Sequence, residues 1–329
     1  MRNKSILFIV LTAILLAVSI LHLISGQISI EPQNYLDAFL NFDLNDTEHI
    51  IIREIRFPRM VAAIIAGSGL AVSGMLMQTL FNNPLAGPFV LGINSGSSLF
   101  VALAMLSGFT FFQTDFGIAG AALLGAFICG IIILFFSFHL KSAVSLLLIG
   151  LMIGGFTSSI VSILEMQSGA QELKSFSLWS MGSLQHVVNS QLPFIFIIFS
   201  IASVLVTFLI KPLDAMILGE KSAENLGVNI KLFRLTCIGV TALYAGLITA
   251  FCGPIAFVGL AVPNLTRIIF KTQSHGILIL ANLLIGSIFL LVVDSGIQFL
   301  EPIAALPLNA VTSLIGAPFI IYIVIKKMR

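Results

Sequence analysis

Charge is what this chain has least of. Asp, Glu, Lys and Arg make up 9% of its 329 residues, against about a quarter in ordinary globular domains. A water-soluble fold cannot cover its surface with so few ionic groups, so the soluble classes are excluded. Net charge is only +2, which offers nothing to a phosphate backbone, and no nucleic-acid partner is expected. Cysteine is scarce as well: Cys129, Cys237 and Cys252 are the three, each inside an apolar run. Such an odd, scattered set is neither a disulfide framework nor a metal site, and reads as small core residues. The five histidines (His22, His49, His139, His186 and His275) are dispersed and supply no dyad or metal cluster for an intramembrane enzyme. No catalytic residue, metal or cofactor is expected.

What the chain does have is apolar length. It is 58% hydrophobic, with a mean hydropathy of +1.11. Polar punctuation divides it into about ten stretches long enough to span a bilayer as helices. They lie near 6–25, 58–80, 89–108, 116–138, 143–165, 192–210, 232–251, 256–270, 276–298 and 308–325. Stretches of this length exclude barrel strands. The fold class is therefore an all-α polytopic membrane protein, one transmembrane domain over 1–329. The first stretch follows Arg2 and Lys4 but is longer than a signal core and precedes no small-x-small cleavage site, so it reads as a retained helix.

Orientation follows from the cations. Twelve of the sixteen Lys and Arg fall on the side that holds both termini, which makes that side cytoplasmic. Arg53, Arg56, Arg59 and Lys174 fall on the other. Residues 26–57 read as a polar outside loop. Residues 166–191 hold the only tryptophan, Trp179, and read as a short interfacial helix. Ionisable residues inside spans are costly and functional by default, yet few occur. Asp294 is placed about a turn from the outer end of the ninth span, Glu165 ends the fifth and His139 flanks the fourth. None is expected to sit at mid-depth with a charged partner, which argues against an ion-coupled carrier working alone.

The largest inside loop is KPLDAMILGEKSAENLGVNIKLFR, residues 211–234. Leu213, Met216 and Ile217 share a helical face and Gly219 and Gly227 punctuate the loop, so two short helices with a turn are expected over 211–231. Leu218 to Ser222 has a superficial likeness to a phosphate-binding loop. It lacks the Gly-Lys pair and follows a helix where a strand is required, so the energy source must be a separate subunit. Small residues form faces on two spans: Gly67, Gly69, Ser73 and Gly74 on the second, read as close packing, and Gly150, Gly154, Gly155, Ser158, Ser159 and Ser162 on the fifth.

Several segments share one resemblance. RFPRMVAAIIAGSGLAVSGMLMQTLFNNPLAGPFVLGINSG, from Arg56 to Gly96, resembles the permeases of the iron-siderophore, haem and cobalamin ABC importers, the FecCD family. Gly219, Glu220, Ala223, Leu226 and Gly227 are similar to that family's G-E-x-x-A-x-x-L-G loop. Gly253, Ile255, Phe257, Gly259, Leu260, Pro263 and Arg267 match a further motif, with Asn264 in place of its histidine. LVVDSGIQ at 291–298 is similar to the family's A-D-x-x-A-R, with Gln298 in place of the arginine, and 306–324 resembles its last helix. A weak echo between GPFVLG at 87–92 and GPIAFVG at 253–259 fits inverted repeats of spans two to five and seven to ten.

The resemblance implies a type II ABC importer permease in the bacterial cytoplasmic membrane. Its expected partners are an ABC ATPase, an extracytoplasmic substrate-binding protein and a second permease copy or paralogue. The expected cargo is a metal chelate, an iron-siderophore first, with haem or cobalamin as alternatives and an ion-coupled carrier as the outsider. It also implies roles: Leu213, Gly219, Glu220, Ala223, Leu226 and Gly227 for ATPase coupling, and Arg53, Arg56 and Arg59 for docking the binding protein. The glycines and serines of the fifth span would form the translocation wall, and Lys141 and Ser142 the inner gate.

Overall fold

The computed structural model describes residues 4–26, 28–107, 115–140 and 143–328, and among these no strand occurs. The helices are α1 (Lys4–Ile24), α2 (Pro32–Leu40), α3 (Thr47–Ile50), α4 (Phe57–Leu80), α5 (Ile93–Leu106), α6 (Asp115–His139) and α7 (Ala143–Gln167). They continue with α8 (Ala170–Ser180), α9 (Leu192–Met216), α10 (Glu220–Asn225), α11 (Ile230–Cys252), α12 (Val258–Phe270), α13 (His275–Leu300) and α14 (Leu308–Met328). Among the described residues, seven helical segments are long and apolar enough to cross a membrane; α5, α12 and the Leu308–Ile323 part of α14 are shorter apolar stretches. Each expected span coincides with one of them. Lys4 Nζ donates to Thr272 Oγ1 at 3.4 Å, so the start of α1 lies beside the α12–α13 turn. This is called the terminal end below.

Helix α4 is the axis. It packs on α13, α11, α12 and α9, and nearly all of its residues are buried. Its glycines make this possible. A Cβ on Gly67 would run into the carbonyl of Gly286 on α13, and one on Gly286 into the carbonyl of Gly67. About two turns further on, a Cβ on Gly74 would overlap the backbone of Gly259 on α12. Helix association in lipid has little hydrophobic drive, so contact this close has to come from van der Waals packing between small residues. The packing expected of the Gly67–Gly74 face is what the bundle contains.

The two short spans are placed alike. Pro88–Leu91 forms a 3-10 turn ahead of α5, and Gly92 at φ +72° starts that helix. Helix α12 is broken at both ends by left-handed residues, Phe257 at φ +66° and Lys271 at φ +47°. Inside it, Asn264 Nδ2 donates to the carbonyls of Pro84 and Leu260, both at 2.9 Å. Arg267, in the last turn of α12, bonds Gln78 of α4.

The outside segments differ from expectation. Residues 26–57 are largely helical, and the helix that becomes α4 begins at Thr47, capped by Asp46 Oδ1 on the Glu48 N–H at 2.8 Å. A π-helical turn, Ile51–Arg56, joins the two parts. It falls immediately ahead of Pro58, whose missing N–H breaks the ordinary ladder. This wider turn changes where the arginines point. Arg56 is buried, and its guanidinium donates to the carbonyls of Leu23, Ile24 and Ile28 and to Tyr35 Oη at 2.5 to 3.2 Å. Arg59 is buried too and forks onto Asp294 of α13, with Nε at 2.7 Å from Oδ2 and Nη2 at 3.0 Å from Oδ1. His22 Nε2 stands 2.7 Å from the same Oδ2, and Gln298 Nε2 donates to it at 3.1 Å.

One expectation is corrected by these contacts, and one residue gains partners: Arg59 and His22 converge on Asp294 from α4 and α1. Arg56 and Arg59 are not a free docking surface, because carbonyls and a carboxylate inside the chain occupy their donors.

Removing one partner of a buried pair leaves an uncompensated charge, at about 3–5 kcal/mol. Asp294→Asn should therefore lower thermal stability in detergent far more than the double change Arg59→Met with Asp294→Leu. Equal losses in the two would show that the pair is not the source. For the axis, Gly67→Val should cost at least the ~1–3 kcal/mol of an overpacked core and cut the yield of monodisperse protein. Gly239→Ala, where a Cβ meets no atom within 4 Å, should be neutral. A well-behaved Gly67→Val would refute the backbone contact with α13.

Candidate functional site

At the terminal end, α9 runs past Pro212 to Met216, so the first of the two expected short helices is its continuation. Helix α10 follows as a separate six-residue turn of helix. Gly219 at φ +94° and Gly227 at φ +87° bracket it. A Cβ on either would meet no atom within 4 Å. They are glycines because the chain turns through left-handed conformations there, and crowding plays no part. Ala223 and Leu213 are fully buried within the chain and seat the knob on its base. Its outward apolar surface is Ile217, Leu218 and Leu226, with Leu218 and Leu226 each 65% exposed.

Two polar junctions hold this knob. Asp214 Oδ1 accepts from the backbone N–H of His275 and lies 2.8 Å from its Nδ1. His275 Nε2 in turn lies 2.9 Å from Thr79 Oγ1 at the end of α4. On the other flank, Arg234 of α11 pairs with Glu220 at the start of α10. Sequence reading missed both junctions. Glu220 is assigned to ATPase coupling with no partner named, Asp214 is given no role, and the histidine that meets Asp214 lies 61 residues away.

Helix α7 carries the glycines and serines. Gly155, Ser158, Ser159 and Ser162 are exposed along it, whereas Gly150 is buried and Gly154 half-buried. The last two face inward: a Cβ on Gly92 would approach the Gly150 carbonyl at 3.0 Å, and one on Gly154 would meet Ser95 Oγ at 3.4 Å. Ser159 Oγ turns back onto the Gly155 carbonyl at 2.9 Å, so it presents little free polarity. The outcome is a shallow, uncharged wall beside exposed Met152, Phe156 and Ile163. Lys141 and Ser142, expected as the inner gate, lie outside the described residues; the structure includes Leu140 before them and α7 after them.

At the opposite end, Arg53 is the most exposed of the three arginines, with its Nε 4.0 Å from Glu54 Oε1. Its side chain is 40% exposed, and the guanidinium carbon lies 4.3 Å above the Phe42 ring. The residue 166–191 segment contains the expected helix, α8, but Trp179 packs inward, stacked on Phe176 with ring centroids 6.0 Å apart.

A sequence profile of the FecCD transport family matches residues 14–326. The molybdate import permease MolB of Haemophilus influenzae is 32% identical over 87% of this chain and 84% of its own length. The vitamin B12 import permease BtuC of Vibrio parahaemolyticus is 33% identical, over 97% of this chain and 93% of its own. A solved structure described as an inward-facing metal-chelate type ABC transporter superposes with a TM-score of 0.86 at 30% identity, covering 98% of this chain and 99% of that one. With ten apolar helices in the expected order among the described residues, the chain belongs to the FecCD transport family and is a polytopic membrane permease.

Proposed function

We propose that this permease is the translocation subunit of an ATP-driven importer of a metal chelate, with an iron-siderophore as its first cargo. Two copies, or one copy and a paralogue, enclose the path in the bacterial cytoplasmic membrane, with both termini cytoplasmic. An ABC ATPase pair binds at the terminal end, and an extracytoplasmic substrate-binding protein docks at the other. The observation that carries this reading is the α10 knob: a compact helix set between two left-handed glycines, offering Leu218 and Leu226 to the outside. An amphipathic helix of this kind is suited to a groove on a partner. The chain has no phosphate-binding loop, so hydrolysis belongs to that partner.

The α7 wall supports a bulky, largely uncharged cargo. Its exposed residues are glycines, hydroxyls and apolar side chains, which offer a large chelate little to bind and little to stop it. A small oxyanion such as the molybdate named for MolB would be better served by fixed cations, and α7 contains no Lys or Arg. Haem and cobalamin are compatible with the same wall and stand as the alternatives. Docking of the binding protein rests on Arg53, a rim charge of the kind that sets association rate and salt dependence.

Replacing interface anchors costs about 2 kcal/mol or more each, so Leu218→Glu with Leu226→Glu should weaken ATPase co-purification about a thousandfold. Insertion should be unaffected, since neither side chain is buried. Normal complex yield from the folded double variant would remove α10 from the interface. For cargo, the cognate binding protein would be titrated with a ferric siderophore, haem, cobalamin and molybdate. Saturable quenching by the ferric siderophore is expected; a response to molybdate alone would overturn the chelate reading.

A further inference from the structure

The outer surface of the bundle is not filled evenly. Helices α6 and α9 both pack on α11, and between the three an open groove of about 840 Å³ remains. It is open because side chains are missing. A Cβ on Gly239 of α11 or Gly120 of α6 would meet no atom within 4 Å. Beside these, α6 and α11 close on each other, since a Cβ on Gly246 would come within 2.9 Å of Ala126. Exposed Phe127 and Ile131 stand along the α6 wall. The lining is apolar except for Thr236, whose hydroxyl donates to the Leu232 carbonyl at 2.8 Å. A polar occupant would find no partner there, so the groove suits hydrocarbon.

Length decides which hydrocarbon. The lining runs from Leu235 to Gly246 on α11 and from Gly120 to Leu134 on α6, about 17 and 21 Å of helix. One leaflet supplies about 15 Å of the hydrocarbon core, and a spanning helix needs about 30 Å. A partner helix would use the groove for only part of its length, whereas a single lipid tail lies along all of it.

Charge decides which leaflet and which head group. Lys231 lies one turn before Leu235 on the same face of α11, at the terminal end of the groove, and Lys211 lies in the last two turns of α9. Both are exposed, and among the described residues neither is paired with a carboxylate. Of the three carboxylates in 211–234, Asp214 is held by His275 and Glu220 by Arg234, which leaves the exposed Glu224. At their other ends α6, α9 and α11 have no Lys or Arg. Basic side chains just beyond an apolar groove favour an anionic head group.

We propose that the α6–α9–α11 groove binds one anionic phospholipid of the leaflet at the terminal end, with a tail over Gly239 and the phosphate at Lys231 and Lys211. The site is separate from the α7 wall and from the α10 knob's apolar surface.

The test titrates the delipidated full chain in mild detergent with phosphatidylglycerol or with phosphatidylcholine of the same acyl chains, counting bound lipid by native mass spectrometry. The first phosphatidylglycerol should bind at least about fivefold more tightly, the gain from one well-placed cation. Lys211→Gln with Lys231→Gln should bring that ratio below about twofold. Gly239→Phe should remove the first bound lipid for both head groups. Equal affinities in the parent, or an unchanged preference in the glutamine pair, would overturn the proposal. So would parental phosphatidylglycerol binding in Gly239→Phe, which would put the lipid outside the groove. If that variant does not fold, Gly120→Phe fills the groove from the α6 wall and is read the same way. A photoreactive maleimide on Leu243→Cys, in a chain whose native cysteines are buried, distinguishes the remaining occupant. In membranes it should crosslink to phospholipid; a crosslink to a polypeptide would give the groove to a protein partner and overturn the lipid assignment.

Discussion

The rest of the bundle is arranged around α4, and α4 depends on having no side chain at two points. At Gly67 and Gly74 its backbone touches the backbones of α13 and α12. Contact at this distance lets Ser287 Oγ reach across to the Ile64 carbonyl at 3.0 Å and Gln78 Nε2 to the Leu260 carbonyl at 3.2 Å. In hydrocarbon, dispersion between close backbones and a few interhelical hydrogen bonds are what hold helices together. The buried core on both sides of α4 contains mostly Ala, Val, Ile and Leu, residues small enough to keep the neighbours at that spacing.

A chain with so little charge spends most of what it buries on joining helices. Arg59 and Asp294 join α4 to α13, with His22, the one fully buried residue of α1, bringing in that helix. Arg267 meets Gln78 between α12 and α4. Asp214, His275 and Thr79 join α9, α13 and α4. Each such group would be expensive alone in a bilayer, and each becomes tolerable by meeting a partner from another helix. The polar groups consequently lie where helices must keep their register, and the lipid-facing surfaces of α6 and α9 are left to Phe127, Phe135, Phe196 and Phe208.

The sequence was legible wherever a property is local. Apolar length placed every span, and glycine placed the close approach on α4 and the turns around α10. The family motifs placed the loop that α10 occupies. What stayed hidden depends on partners far along the chain. Arg56 and Arg59 broke the trend of cations, and an outward surface was the economical reading of that. Their true partners, carbonyls in 23–28 and a carboxylate at Asp294, could not be seen without the fold. The polar stretch 26–57 looked like a loop because its helices are short and amphiphilic, and because Pro58 resembled a start. A π-turn that carries a helix through a proline has no signature in composition.

The same residue type serves opposite ends on α4 and α7. On α4, glycine removes clearance, since any Cβ at 67 or 74 would meet backbone. On the outward side of α7, Gly155 has nothing within 4 Å of where a Cβ would stand, so the absence of a side chain there leaves an open surface. In sequence the two faces look alike, and only the neighbours tell them apart. The division has a mechanical sense. A transporter that alternates between states needs one set of helices that keep their spacing and another that can shift against them. Backbone-to-backbone packing gives α4, α12 and α13 a single arrangement, because a small slide would replace contact with overlap. Helix α7 has no such constraint on its outward side: it packs mainly on α5 and the Pro88–Leu91 turn and is exposed along the rest of its length.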